Sequence, residues 1–124
     1  MLEDKDAVAT IAVKDIEVAR QFYEDTLGLR QVGAEGEELI TFGSGSSTLN
    51  VYRSRYAGTN KATAVTWVVD DVDAVVKQLK ARGVTFEHYD MPDVTRKEDV
   101  HVAGDMKVAW FKDPDGNILN IASE

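Results

Sequence analysis

The sequence contains an internal duplication, and this repeat restricts the fold more than any other feature. Residues 13–16 (VKDI) align with residues 69–72 (VDDV), and residues 48–51 (TLNV) align with residues 118–121 (ILNI). The two alignments are offset by 56 and 70 residues, so the second copy carries 14 extra residues. A repeat of this length is typical of a chain that builds one supersecondary unit twice. We therefore expect two similar modules.

Each copy has the pattern of a βαβββ module. In both, an aspartate in an N-cap position, Asp15 or Asp71, precedes apolar residues at helical spacing, and a glycine, Gly28 or Gly83, ends the helix. Runs of β-branched and aromatic residues predict the strands. The predicted strands are residues 6–13, 30–33, 38–42 and 48–53 in the first copy, and residues 62–70, 84–88, 107–111 and 117–122 in the second.

The module boundaries follow from this pattern. Residues 1–53 form the first module, the polar residues 54–61 form a linker, and residues 62–124 form the second module of one domain. The extra residues of the second copy fall within the stretch 89–105. In a compact domain, an irregular stretch of more than about 12–15 residues usually means a lid, a binding loop or disorder. We interpret this insertion as a lid.

A tight hairpin is predicted within residues 111–120 (FKDPDGNILN). Asp113 can accept hydrogen bonds from the backbone that follows it, Pro114 presets φ, and Gly116 tolerates a left-handed conformation. In the strand that follows, Asn120 points to the face opposite Leu119. A polar residue at this position makes that face of the strand a candidate for binding.

Composition excludes several classes of partner. The chain has 14 basic and 22 acidic residues, a formal charge of -8, which disfavours nucleic acid and anionic membranes. It has no cysteine, so thiolate metal ligands and thiol nucleophiles are absent. The acidic start is not a signal peptide, and no apolar run approaches the roughly 18 residues of a membrane span. We expect a cytoplasmic protein whose partner is a small molecule or a protein.

Strand alternation divides the predicted sheets into an apolar face and a mixed face. We expect the apolar face to pack against the helices. Its residues are Ile11, Val51, Val65, Trp67, Val69, Phe111 and Ile121. The mixed face combines rings for stacking with amides for orientation, which suits a small organic ligand. The expected ligand contacts, with two residues near the insertion added, are Thr10, Asn50, Tyr52, Thr66, His88, Met106, Trp110 and Asn120. The alternative is that both asparagines are simply solvated.

The duplicated modules, the helix segment VKDIEVARQFYEDTLGL and the hairpin FKDPDGNILNI resemble the vicinal oxygen chelate superfamily. This superfamily includes glyoxalase I, bleomycin-resistance proteins, fosfomycin-resistance enzymes and extradiol dioxygenases. The resemblance implies an α+β fold in which two tandem βαβββ modules form a curved mixed sheet around a central cavity, with the helices outside. It also implies a homodimer. Activity varies within the superfamily, so the residues of the site must decide it.

The resemblance also locates the positions that hold a divalent metal in the metalloenzymes of this superfamily. The histidine positions, seven residues before Asp15 and Asp71, are Val8 and Ala64 here, and the glutamate positions are Asn50 and Asn120. Valine and alanine cannot coordinate a metal, and an amide oxygen is a poor replacement for carboxylate. We therefore expect no metal and no other cofactor. The pattern resembles the bleomycin-resistance-like members, which bind a ligand without chemistry.

Two other hypotheses remain open. The first is an enzyme such as a lyase, an isomerase or a dioxygenase-like protein. Its two histidines, His88 and His101, would bind a displaced metal or act in acid-base catalysis. Their spacing matches no metal-ligand pattern. The second hypothesis is that the chain is a subunit whose modules serve only for assembly. This hypothesis predicts that no ligand binds.

Overall fold

A computed structural model describes all residues from 1 to 124. The chain divides into two compact units, Met1–Thr59 and Asn60–Glu124. The division lies within the stretch 54–61, which the sequence predicts as a linker. No helix is both long and apolar enough to cross a membrane.

The first unit contains a four-stranded mixed sheet and one helical segment. Its elements are β1 (Ala9–Val13), α1 (Ile16–Arg20), a π-helical turn (Gln21–Thr26), β2 (Arg30–Glu35), β3 (Leu39–Ser44) and β4 (Ser47–Arg53). The strand order is β1-β4-β3-β2. β1 runs parallel to β4, and the other pairs are antiparallel.

The first helix begins where the sequence predicts but changes its hydrogen-bond pattern. The Asp15 side chain accepts hydrogen bonds from the backbone N–H groups of Glu17 and Val18, at 2.9 and 3.3 Å. Beyond Arg20 the turn widens, and the Leu27 N–H donates to the carbonyl of Phe22, a five-residue span. Apolar spacing predicts a helix but does not distinguish this wider turn from an α-helix, because both bury the same face.

The core of the first unit lies between the helical segment and one face of the sheet. Tyr23 is fully buried, and its ring lies 5.9 Å from that of Phe42. The remaining core residues are apolar strand residues that alternate with polar ones: Ile11, Val13, Ile40, Leu49 and Val51. The opposite face of the sheet therefore carries the more polar side chains.

The second unit repeats the plan with an added hairpin. Its elements are β5 (Thr63–Val68), α2 (Val72–Ala81), β6 (Phe86–Glu87), β7 (Thr95–Lys97), β8 (Val100–Ala103), β9 (Met106–Lys112) and β10 (Ile118–Ala122). The order is β5-β10-β9-β8-β7, and β6 also pairs with β9. β5 runs parallel to β10 as β1 does to β4. The α+β class and the tandem βαβββ organisation are thus confirmed.

The added hairpin accounts for much of the insertion. Within the predicted lid, residues 95–97 form β7 and residues 100–103 form β8. β6 and β8 pair with the same edge of β9, and β8 pairs with the part of that edge that β6 does not reach. Residues 88–94 remain outside the strands.

The predicted 111–120 hairpin is held by one buried carboxylate. Asp113 Oδ1 accepts from the N–H groups of Asp115 and Asn117, at 3.0 and 2.9 Å, and Oδ2 accepts from the Asn117 amide at 2.8 Å. Gly116 has a φ of 88°, which favours glycine. Behind the hairpin, Phe111 packs on Phe86 in the core of the second unit.

Candidate functional site

Strand register places the two asparagines in equivalent positions of the two units. In the first unit Asn50 lies opposite Thr10 on the parallel neighbour and opposite Thr41 on the antiparallel neighbour. In the second unit Asn120 lies opposite Thr66 and Trp110 in the same way. The duplication is therefore preserved at the level of individual residue pairs, and Trp110 occupies the position that Thr41 holds in the first unit.

This exchange changes what the two amides can bind. Thr41 Oγ1 donates to Asn50 Oδ1 at 2.7 Å, so this amide oxygen is satisfied within the sheet. The Trp110 indole N–H donates instead to Thr63 Oγ1 at 3.2 Å. Asn120 is 8% exposed, and its Oδ1 is buried without a hydrogen-bond partner. An unpaired buried polar atom costs about 1–3 kcal/mol, so Asn120 marks a place that favours a donor.

Trp110 lies at the centre of an aromatic cluster in the second unit. Its ring contacts Tyr89 edge to face, with centroids 5.3 Å apart, and His101 edge to face, with centroids 4.9 Å apart. Trp110 itself is half-buried. Ring pairs of this geometry add stabilisation beyond their buried area. Two neighbouring rings thus hold the indole while part of it remains exposed.

His101 is the most buried polar residue of the chain, at 2% exposure. Its Nε2 accepts a hydrogen bond from the Tyr89 backbone N–H at 3.0 Å. Because Nε2 is the acceptor, the ring is neutral and carries its proton on Nδ1. That Nδ1 is buried without a hydrogen-bond partner.

The charges beside Trp110 are paired with each other. Glu87 lies opposite Trp110 across the β6–β9 pair. Its Oε1 is 3.3 Å from Lys112 Nζ, and Lys112 is two residues from Trp110 on the same strand and therefore on the same face. These two charged side chains beside the indole therefore offset each other.

His88 takes part in a different cluster, next to α2. Its Nε2 donates to Asp99 Oδ1 at 2.8 Å, and Lys80 Nζ donates to Asp99 Oδ2 at 2.6 Å. The hydrogen bonds from Lys80 and from His88 hold the pKa of Asp99 below its ordinary value. The same carboxylate raises the pKa of Lys80. Of the sequence-predicted contacts, His88 is therefore the one that the structure ties to a separate cluster.

The positions at which the resemblance implies metal ligands do not fit a metal ion. Val8 and Ala64 offer hydrocarbon, and the oxygen of Asn50 is already an acceptor for Thr41. Asn120 alone offers a free amide oxygen. No group of three or more His, Cys, Asp or Glu side chains is arranged to hold a metal ion. His88 and His101 belong to separate clusters and do not converge on one.

The other predicted contacts lie on exposed parts of the mixed faces. Thr10 and Tyr52 are exposed in the first unit, and Thr66 and Met106 are exposed in the second. The structure also shows a contact that the sequence did not predict: the Arg30 guanidinium lies against Gly43. A Cβ at Gly43 would lie 2.5 Å from its Nη2. Only the strand register reveals this contact, because Arg30 and Gly43 are cross-strand partners.

Two surface clefts lie apart from these residues. One, of about 250 Å³, is lined by Lys14, Asp15, Ile16, Glu17, Glu37 and Arg53. The other, of about 420 Å³, is lined by α2 and hairpin residues that include Lys80 and Asp99. Neither is lined by a sequence-predicted ligand contact.

Comparison with known proteins agrees with the fold. Residues 6–121 match the family described as the Glyoxalase/Bleomycin resistance protein/Dioxygenase superfamily. No curated protein sequence matches.

Among solved structures, lactoylglutathione lyase from Agrobacterium tumefaciens is 19% identical with a TM-score of 0.71, over 97% of this chain and 93% of that one. The bleomycin-binding protein of Streptomyces verticillus, complexed with copper(II)-bleomycin, is 21% identical with a TM-score of 0.72, over 100% and 99%. An antibiotic-binding protein from Streptomyces sp. CB03234 is 22% identical with a TM-score of 0.69, over 99% and 98%. At these identities the likeness concerns the fold.

Proposed function

The chain belongs to the Glyoxalase/Bleomycin resistance protein/Dioxygenase superfamily, and from this premise we propose that it binds a flat, partly aromatic small molecule without a metal ion. The ligand stacks on Trp110, and Asn120 orients it. In this proposal the protein holds its ligand and performs no reaction on it. In this proposal we place His88 in the Asp99 cluster and not on the ligand, because its Nε2 is hydrogen-bonded to Asp99 Oδ1.

The observation that carries the proposal is the set of side chains around Trp110. Thr63 and Asn120 flank the half-buried indole there, and the neighbouring Glu87 and Lys112 form an ion pair. Aromatic rings with a few placed polar groups are typical of sites for small organic ligands. Carboxylate and imidazole, which metal chemistry would require, are missing from all four positions discussed above.

The relatives provide independent support for a binding role. Two of the similar structures are described as an antibiotic-binding protein and a bleomycin-binding protein. Because lactoylglutathione lyase has the same fold, the fold by itself is compatible with either binding or catalysis. The choice between them rests on the residues of this chain.

Calorimetry tests the proposal. Protein treated with EDTA is titrated with Zn(II), Ni(II) and Mn(II), and separately with a flat aromatic probe such as 2-naphthol. We expect no stoichiometric metal uptake and saturable binding of the probe. Stoichiometric uptake of a metal that is then required for probe binding would overturn the proposal, as would the absence of binding by any flat probe.

We also propose, from the family resemblance, that the chain forms a homodimer. Light scattering tests this independently, since the monomer has a mass of 13.7 kDa. A mass near twice that value supports the homodimer, and the monomer mass contradicts it.

A further inference from the structure

Two buried polar atoms on either side of Trp110 have no partner, and they are of opposite kind. Asn120 Oδ1 is an acceptor, and His101 Nδ1, which carries the proton, is a donor. Asn120 is 8% exposed and His101 is 2% exposed, so water does not reach them freely. Folded proteins pair nearly all such groups, and each exception calls for an explanation.

Strand register places both residues on the face that carries Trp110. Asn120 lies directly opposite Trp110 on β10, and His101 lies opposite Val108 on β8, two residues from Trp110 along β9. Residues two apart on a strand share a face. Since β8, β9 and β10 are adjacent, the two residues are separated by two strand spacings across the sheet and by two residues along it, about 12 Å in all. The indole lies between them.

We propose that His101 Nδ1–H and Asn120 Oδ1 select a neutral, flat ligand with a hydrogen-bond acceptor at one end and a donor at the other. The inference rests on the proposed function and specifies the chemistry of its ligand. The ring system stacks on Trp110, the acceptor end receives the His101 proton, and the donor end is bound by Asn120. Glu87 and Lys112 offset each other's charge beside the indole, so this pair does not favour an ionic ligand.

The first unit provides an internal contrast. Asn50 has the same register as Asn120, but Thr41 donates to its oxygen at 2.7 Å. The first unit thus satisfies internally the amide that the second unit leaves open. The two amide oxygens differ because Trp110 replaces Thr41. The Trp110 N–H is bound to Thr63 and therefore cannot donate to Asn120.

The Tyr89 ring packs against two members of the site, His101 and Trp110. The Tyr89 backbone N–H is bonded to His101. Tyr89 belongs to residues 88–94, which form no strand. In this proposal the Tyr89 ring turns aside from Trp110 and His101 when the ligand binds.

The test uses three naphthalenes and measures dissociation constants by fluorescence titration. 6-Acetyl-2-naphthol carries an acceptor and a donor at opposite ends, 6-acetyl-2-methoxynaphthalene lacks the donor, and 2-naphthol lacks the acetyl acceptor. We expect the first to bind roughly tenfold more tightly than either of the others, which is about 1.4 kcal/mol. Equal binding of all three overturns the inference and leaves the proposed function standing. No binding of any probe overturns both.

Variants assign each preference to its residue. Asn120→Leu is expected to remove the preference for hydroxyl over methoxy and to keep the preference for acetyl. His101→Phe is expected to do the reverse. His88→Phe, a matched histidine replacement in the separate cluster, is expected to change neither ratio. If all three variants lose both preferences, the proposal is contradicted. It is also contradicted if Asn120→Leu and His101→Phe each keep both preferences.

Nuclear magnetic resonance provides a readout in the unmodified protein, in case His101→Phe does not fold. Long-range ¹H–¹⁵N correlation is expected to show His101 protonated on Nδ1 without ligand. Saturation with 6-acetyl-2-naphthol is expected to shift the Nδ1 proton downfield, whereas 2-naphthol is expected to shift it less. Protonation on Nε2, or equal shifts with both probes, overturns the assignment.

Discussion

At the scale of single residues, the exchange of Thr41 for Trp110 distinguishes the two units. The sequence predicts that Asn50 and Asn120 are equivalent, and their registers agree with this. It does not predict that one amide oxygen is satisfied and the other open, because that depends on the residue opposite each asparagine. Sequence patterns give the face of a strand, whereas cross-strand partners appear only in the structure.

Replacement of Trp110 by alanine tests the stacking surface. We expect the affinity for 6-acetyl-2-naphthol to fall by at least two- to twelve-fold, since an aromatic pair contributes roughly 0.5–1.5 kcal/mol beyond its area. The matched control is Trp67→Phe. Trp67 stacks on the core residue Phe111, at 6.5 Å, so we expect this change to lower stability and leave affinity unchanged. Unchanged affinity in Trp110→Ala would exclude this residue from the site.

The Asp99 cluster predicts a pH-dependent contribution to stability. Lys80 and His88 lower the pKa of Asp99 from its reference value of 3.8, so its contribution is complete above that value and is lost as the pH falls through the lowered pKa. We therefore expect Asp99→Asn to lower the melting temperature near neutral pH and to have a diminishing effect as the pH falls below 3.8. Thermal melts across this range check it, with the exposed Asp105→Asn as control. A deficit that stays constant with pH would contradict it.

At the scale of secondary-structure elements, caps and turns were predictable and the insertion was less so. Asp15, Asp71 and Gly116 have the roles that their residue types predict, because capping and left-handed turns depend on local chemistry. The strands β7 and β8 were not predicted. Their sequences, TRK and VHVA, are too short for a periodic signal, and the strands form because β9 offers an unpaired edge beyond β6.

The hairpin between β9 and β10 is expected to depend on Asp113. This buried carboxylate accepts three hydrogen bonds within the turn, so Asp113→Ala should lower the free energy of unfolding by about 2–3 kcal/mol. Pro114→Ala, an adjacent exposed change, should cost less than about 1 kcal/mol. Denaturant unfolding measures both. Equal losses would show that the carboxylate is not what holds the turn.

The segment 88–94 is expected to act as the cover of the Trp110 site. Tyr89→Ala removes the ring that contacts Trp110 and His101 and keeps the backbone N–H that bonds His101. We expect 6-acetyl-2-naphthol to bind faster and at least threefold more tightly, because no ring has to be displaced first. Stopped-flow fluorescence measures the rate. Slower or weaker binding would mean that Tyr89 contributes to the bound state.

At the scale of the whole molecule, the duplication made the fold predictable and left the function open. Two βαβββ modules follow from the aligned caps and strands, and the superfamily match over residues 6–121 agrees. The fold is compatible with a lyase and with antibiotic-binding proteins. Function therefore depends on a few residues of the mixed faces, and above all on Val8, Asn50, Ala64 and Asn120, where the resemblance implies metal ligands.

The central claim is that this chain recognises a flat molecule by stacking and hydrogen bonding and needs no metal ion. The most direct measurement is a titration of EDTA-treated protein with 6-acetyl-2-naphthol, repeated after EDTA is removed and Zn(II), Ni(II) or Mn(II) is added. We predict saturable binding with the same dissociation constant in every case. Binding that appears only when one of these metals is present would contradict the claim.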